Sequence, residues 1–138
     1  MKAFPCILCI GGLDPSGGAG IQADIETVSA LGGRALTLVT ALTAQDSPDI
    51  TAVQPVSPRF FSAQLELLMR DMRPDAIKIG LLGSVDLIPV VRDLLQGFEG
   101  PVVLDPVLAT GGGFDLDTGD LGQAMLDQLV PLTGLITP

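Results

Sequence analysis

The sequence predicts an α/β domain built in three layers, with a mostly parallel central sheet and helices on both faces. Three observations carry this prediction. Short apolar runs recur along the 138 residues. Most are continuous rather than alternating, which suits strands covered on both faces. Segments with helical apolar spacing separate them, and that alternation implies parallel strands joined by right-handed crossovers. The length fits one domain. A hydrophobic fraction of 47% supplies a core and excludes a disordered chain.

Each element has its own signal. The first strand is read at Cys6–Ile10 and leads into Gly11-Gly-Leu-Asp-Pro-Ser-Gly-Gly-Ala-Gly20. The first helix is read over Ile21–Leu31, with Ile21, Ile25, Val28 and Leu31 at helical spacing and Gly32-Gly33 as its stop. The second strand is read at Ala35–Leu42, followed by polar Thr43-Ala-Gln-Asp46. Residues 50–56, ITAVQPV, add a short edge strand. Ser57-Pro58 opens a second helix over Phe60–Met72. A strand at Ala76–Ile79 runs into Gly80-Leu-Leu-Gly83, and Ser84 is placed to cap a helix over Val85–Leu95. Val102–Leu104 precedes Asp105-Pro-Val-Leu-Ala-Thr-Gly-Gly-Gly113. A helix at Leu121–Leu129 and a strand at Leu135–Ile136 follow. No repeat, low-complexity tract or linker interrupts them.

Composition narrows the function classes. Seven basic residues against 16 acidic ones give a net charge of −9. A nucleic-acid binder carries a basic stripe, and none is visible. The same charge disfavours docking on an anionic membrane. No apolar run approaches the ~18 residues of a membrane span. The first 12 residues begin like a signal peptide, but their apolar core is too brief and no small-residue cleavage site follows. A cytoplasmic protein is expected. Cys6 and Cys9 form a C-x-x-C. Residues three apart on a strand point to opposite faces, so two buried structural thiols are expected.

Glycine and polar residues gather where the strands end, the edge where open α/β sheets bind ligands. Gly18-Ala-Gly-Ile-Gln-Ala23 fits G-x-G-x-x-A, but seven residues separate it from Ile10, whereas the dinucleotide fold turns directly after the strand. No P-loop lysine follows these glycines. Asp115, Asp117 and Asp120 glance at a calcium loop, yet the glycine falls one position early and Leu126 stands where Glu belongs. Asp14 and Asp24 bracket the glycines, and an aspartate with the Gln45 amide suits the donor and acceptor edge of a flat heterocycle. Asp24 in a first helical turn is also explained by the helix dipole alone. Asp105 is open to three roles: a cap, a partner for Lys78, or a water-mediated holder of Mg²⁺.

The stretches Asp14-Pro-Ser-Gly-Gly-Ala-Gly-Ile-Gln-Ala-Asp24, Thr40-Ala-Leu-Thr-Ala-Gln-Asp46, Lys78-Ile-Gly-Leu-Leu-Gly83, Val102-Val-Leu-Asp-Pro-Val107 and Leu135-Ile-Thr-Pro138 occur in order over nearly the whole chain. Together they resemble the hydroxymethylpyrimidine kinase / phosphomethylpyrimidine kinase family of thiamine biosynthesis, within the ribokinase-like superfamily. The resemblance implies an ATP- and Mg²⁺-dependent kinase in which 4-amino-5-hydroxymethyl-2-methylpyrimidine, and then its monophosphate, is phosphorylated. Carried over by position, Gly12, Asp24 and Gln45 resemble pyrimidine contacts. Val107 resembles an apolar wall, and Leu81 stands where the family commonly has Met. Leu13 replaces the Ser or Thr often found before Asp14. The family's Asn-x-x-Glu after Thr-Pro, and its late glycine-rich anion hole with the catalytic base, do not occur in residues 1–138. The resemblance therefore implies that these residues form the N-terminal part of a single ribokinase-like domain, with an unfinished sheet edge. No catalytic residue is assigned in them, and no turnover is expected from them alone. A homodimer is the expected assembly. The other readings are a non-catalytic pyrimidine-binding half and a dinucleotide-dependent oxidoreductase.

Overall fold

The structure is a computed structural model, and it describes residues 4–109, 113, 115–117 and 120–137. Its centre is a six-stranded sheet in the order β3-β2-β1-β4-β5-β6. The strands are β1 (Cys6–Leu13), β2 (Arg34–Gln45), β3 (Ile50–Pro55), β4 (Ala76–Ile79), β5 (Val102–Leu104) and β6 (Leu135–Ile136). All neighbours pair in parallel except β2 and β3, which form an antiparallel hairpin. The helices are α1 (Gly20–Ala30), α2 (Pro58–Asp71), α3 (Ile88–Gln96) and α4 (Leu121–Gln128).

Alternation along the strands divides the two faces. Leu8 and Ile10 of β1, Leu36 and Leu38 of β2, and Ile77 and Ile79 of β4 point to one side. There they form the core with Phe61 of α2, Val91 and Leu95 of α3, and Leu121 and Met125 of α4. The opposite face carries Cys9, Gly11 and Lys78 and meets α1, whose one fully covered residue is Ile21. The expected three-layer α/β architecture is therefore present, and the α2–α4 side holds most of the apolar mass.

Local chemistry explains the boundaries. The Ser57 hydroxyl accepts from the Phe60 N–H, with Pro58 in the first turn of α2. Ser84 accepts from the Asp86 N–H and starts a 3₁₀ turn, Val85–Leu87, that runs into α3. α1 stops where Gly32, at φ +80, lets the Gly33 N–H reach the Val28 carbonyl.

Most element boundaries shift by one to three residues from the sequence reading, and those of β1, β2 and α1 bear on the site: β1 continues three residues beyond Ile10, to Leu13. β2 runs three residues beyond Leu42, because Ala41–Gln45 pair with β3. A register shift between Gly11 and Leu13 interrupts the β1–β2 pairing, which resumes at Leu13 opposite Leu42, so β2 pairs with both β1 and β3 at this end. Also, α1 begins at Gly20 with Ala19 as its N-cap and has no acidic residue in its first turn. Asp24 thus lies in the second turn, too far along for the dipole at the helix start to explain it.

α1 starts against the end of β1. A Cβ on Gly20 would stand 2.4 Å from the Gly12 carbonyl oxygen, and Gly20 has φ +60. Gly32 has φ +80 with open space around it. Gly32→Ala should therefore cost about 1–2 kcal/mol, the left-handed penalty alone. Gly20→Ala meets that penalty and a backbone clash, and should cost at least about 2 kcal/mol more. Urea unfolding of both variants measures the difference. Equal costs would show that α1 can retreat from β1 freely.

Candidate functional site

The chain leaves β1 for β2 on one side and reaches β4 on the other, so the strand order reverses between β1 and β4. The crevice outside the carboxyl ends of the strands at such a reversal is the usual ligand position in open α/β sheets. Here it holds a cavity of about 360 Å³, within the range of small-molecule sites. Gly12 and Leu13 come from β1, Thr43 and Gln45 from β2, Lys78 and Leu81 from β4 and its following loop, and Asp105 and Val107 from the loop after β5. The turn Asp46–Asp49 at the tip of the β2–β3 hairpin forms a further wall.

Five of the six residues expected at a site from the sequence meet here: Gly12, Gln45, Leu81, Val107 and Asp105. Asp24 does not line the cavity. Its carboxylate lies on the α1 side and grips Lys78, with Nζ 3.0 Å from Oδ1 and 3.1 Å from Oδ2. Both side chains are largely covered, at 28% and 16% exposure, so the pair is shielded from salt more than a surface pair is. Asp24, not Asp105, is thus the partner of Lys78. The ammonium lies over Gly80, where a Cβ would approach Nζ to 2.9 Å. The missing side chain leaves Lys78 a path along β4 to the cavity. Lys78 and Gly80 share a sheet face by their spacing of two, a signal readable from sequence once β4 is placed.

Asp14 also departs from expectation. Instead of reading a ligand edge, its carboxylate is spent inside the glycine loop. Oδ1 accepts from the Ser16 N–H at 2.8 Å and the Ser16 hydroxyl at 2.7 Å, and Oδ2 accepts from the Ala19 N–H at 2.9 Å. Burial works to raise the Asp14 pKa. The Ser16 hydroxyl, with the N–H groups of Ser16, Ala19 and Gly18, outweighs it and holds the pKa below the ordinary aspartate value.

The two cysteines are free, and Cys9 is buried on the α1 face. Burial, and next the Asp24 charge, push its pKa up to about 11, with Lys78 opposing. It stays a neutral thiol near pH 7 and is poorly suited to redox or metal chemistry. Among the described residues no group of three or more His, Cys, Asp or Glu side chains could hold a metal ion. No helix is long and apolar enough to cross a membrane among them. Of the glycine cluster after β5, residues 110–112 lie outside the described residues, as do residues 118–119 of the acidic loop and Pro138.

Thr43 was not singled out by the sequence reading. Its hydroxyl oxygen lies 2.7 Å from the Leu13 carbonyl oxygen and 2.8 Å from the Gln45 amide oxygen, Oε1. The signal was again a spacing of two, since Thr43 and Gln45 share one face of β2.

Comparisons with known proteins agree with this geometry. Residues 14–138 match the family described as phosphomethylpyrimidine kinase. The hydroxymethylpyrimidine/phosphomethylpyrimidine kinase of Escherichia coli K12 is 41% identical over 132 residues, 95% of this chain and 50% of that protein. The crystal structure of phosphomethylpyrimidine kinase from Clostridium difficile 630 superposes with a TM-score of 0.88 at 35% identity, covering 97% of this chain and 58% of that one. The pyridoxal kinase of Staphylococcus aureus in complex with pyridoxal gives a TM-score of 0.86 at 31% identity, covering 99% and 51%. The chain spans 18–50% of the length of the first curated relatives it matches.

The Asp14 contacts make a pH-dependent prediction. In Asp14→Asn an NH₂ faces one of the donors that Asp14 accepts from, and stability at pH 7 should fall by about 1–3 kcal/mol. The folded pKa lies below the unfolded value of about 3.9. The wild-type contribution is therefore complete above that value and is lost as pH falls through the folded pKa. The stability gap between wild type and variant should narrow as pH falls below the unfolded value of about 3.9. A gap constant with pH would show that the ionised carboxylate is not what ties the loop.

Proposed function

The chain belongs to the phosphomethylpyrimidine kinase family, and on that premise we propose that its cavity binds 4-amino-5-hydroxymethyl-2-methylpyrimidine and its monophosphate as substrates for ATP-dependent phosphorylation in thiamine biosynthesis. The observation that carries this reading is the convergence of Gly12, Gln45, Leu81 and Val107, from four separate strand ends, on one cavity. A flat, polar-edged ring needs apolar walls for its faces and a donor–acceptor group for its edge. Leu81 and Val107 supply the walls, and the Gln45 amide supplies the edge reader. Gly12 admits the ring close to the backbone. A Cβ there would meet a Leu81 methyl at 2.7 Å, and Leu81 would be displaced from the wall.

Asp24 acts through Lys78 in this reading. The carboxylate fixes the ammonium at the rim and offsets its charge, so the cavity accepts a neutral ring without an uncompensated cation beside it. The remaining charged residues of the lining, Asp14, Asp46, Asp49 and Asp105, are acidic. That balance favours a ligand with hydrogen-bond donors over a bare anion.

Mg²⁺ fits this site in one form. Asp105, half-buried at the end of β5 and facing the cavity, offers a carboxylate to a hydrated ion, and one or two carboxylates are the usual protein share for Mg²⁺. Bound with the nucleotide, Mg²⁺ would offset charge on the phosphate oxygens. No base is assigned among these residues, and no cation beyond the paired Lys78 faces the cavity among the described ones. Homodimerisation belongs to the same proposal.

Calorimetric titration tests the reading. The pyrimidine should bind saturably, and pyridoxal, the ligand of the Staphylococcus aureus structure, should bind more weakly. Asp24→Asn should weaken pyrimidine binding indirectly, because it loosens Lys78 at the rim and leaves its charge uncompensated. Absent pyrimidine binding rejects the reading, and tighter pyridoxal binding exchanges the substrate. Unchanged affinity in the variant would show that the Asp24–Lys78 pair does not shape the cavity for its ligand. Phosphoryl transfer relies on groups around the γ-phosphate, and loss of a single such donor costs about 10²–10³ in rate. Residues 1–138 alone should therefore release no pyrimidine-dependent ADP above background in a coupled assay. Robust release would place catalytic groups among them.

A further inference from the structure

We propose that Thr40 is a positioning residue that holds the Leu81 wall of the cavity from the far side of β1, so that the fit of the ligand's ring is set by a bulge in β2. The inference rests on the proposal that Leu81 packs against a pyrimidine.

Residues 80–84, between β4 and the 3₁₀ turn before α3, have no regular structure, yet Leu82 and Gly83 among them are buried. Backbone groups in a covered loop need partners that no strand ladder supplies. Two contacts meet that need on either side of the Leu81 Cα. The Gly80 N–H donates to the Ile10 carbonyl at 2.8 Å. The Leu81 carbonyl accepts from the hydroxyl of Thr40, itself fully buried, at 2.6 Å. A carbonyl oxygen can only accept, so the direction of this bond is fixed.

The Thr40 contact crosses a strand, because β1 lies between β2 and β4. Val39 pairs with Gly11 and Leu42 with Leu13, so Thr40 and Ala41 both stand opposite Gly12. Two residues facing one make a bulge, a device that re-aims side chains beside a site. Both residues of this bulge meet the loop after β4. Thr40 bonds Leu81, and Ala41 closes on Gly83, where an added Cβ would lie 3.0 Å from the Ala41 Cβ. Gly12 makes the crossing possible. A Cβ there would stand 2.7 Å from a Leu81 methyl, so the missing side chain is the space through which the loop reaches β2.

The consequence falls on the ligand. The Leu81 side chain lines the cavity, and its direction follows from the backbone on either side of its Cα. Without the hydroxyl, the Leu81 carbonyl is left covered and without this donor, a costly state that the loop relieves by turning. Leu81 then leaves the position from which it faces the ring. Thr40 acts on the ligand through Leu81 and is not itself part of the cavity lining.

A double-mutant cycle tests the proposal. Dissociation constants of 4-amino-5-hydroxymethyl-2-methylpyrimidine are measured by calorimetry for wild type, Thr40→Val and Thr40→Ser, each with and without Leu81→Ala. Thr40→Val keeps the shape and removes the donor, and Thr40→Ser keeps the donor. With Thr40 or serine in place, Leu81→Ala should weaken binding roughly tenfold, the loss of a well-packed apolar contact. In Thr40→Val the same change should cost roughly threefold or less, because the wall has already moved. A threonine that served stability alone would lower the folded fraction and leave the Leu81 factor equal in all three backgrounds, and that result overturns the proposal. A second measurement needs neither ligand nor variant. In NMR spectra of wild type the Thr40 hydroxyl proton should be protected from exchange, with a nuclear Overhauser contact to Leu81. A hydroxyl proton in fast exchange with water overturns the anchor. A protected proton in a wild type that does not bind the pyrimidine overturns the pyrimidine reading, and with it the effect on the ring, and leaves the Leu81 anchor standing.

Discussion

The close approach of two backbones sets the geometry of everything at the sheet's carboxyl edge. Gly20 begins α1 within 2.4 Å, measured from an added Cβ, of the Gly12 carbonyl oxygen on β1. No side chain fits between them. The intervening loop must therefore fold tightly over the strand end, and a tight loop leaves backbone N–H groups pointing inward. Asp14 satisfies those of Ser16 and Ala19 from inside the turn. Glycine gives the approach, and one ionised carboxylate fixes its shape. The wall that Gly12 and Leu13 present to the cavity is a consequence of both.

The same approach sets the height of α1 on its sheet face, and that height brings Asp24 to Lys78. The pair joins helix to strand across 54 residues of sequence. It also sits against a buried thiol, whose pKa it influences with opposite signs from its two members. A helix that buries one residue fully is thus held by a charged contact as well as by apolar area. The opposite face needs no such device, because α2, α3 and α4 close over a continuous aliphatic core there.

Much of this was legible in the order of residues. Continuous apolar runs marked the buried strands, because a parallel sheet covered on both faces selects apolar residues at every position. Ser57-Pro58 and Gly32-Gly33 marked helix ends through local chemistry that survives any tertiary context. The end of β2 was not legible. Thr43, Ala44 and Gln45 are polar or small, and they are strand only because β3 folds back to pair with them. The position of Asp24 was misjudged for a related reason. The helix start is fixed by the fit of Gly20 against Gly12, a contact between residues that carry no side-chain signal. Asp14 and Asp24 looked equivalent beside the glycines. One is consumed by its own loop and the other by a lysine on a distant strand, a division that only the fold creates. The resemblance, spread over five motifs, carried the expectation that Gly12, Asp24, Gln45 and Val107 share one cavity; Gly12, Gln45 and Val107 line it together with Leu81, and Asp24 does not.

The central claim is that the strand ends of β1, β2, β4 and β5 form one aminopyrimidine site. Titration of the ¹⁵N-labelled chain with 4-amino-5-hydroxymethyl-2-methylpyrimidine, followed by backbone amide shifts, tests it most directly. The account predicts saturable shifts concentrated at Gly12, Thr43, Gln45, Leu81 and Val107, with a common dissociation constant. Saturable shifts confined to another region, with these five amides unmoved, would contradict it.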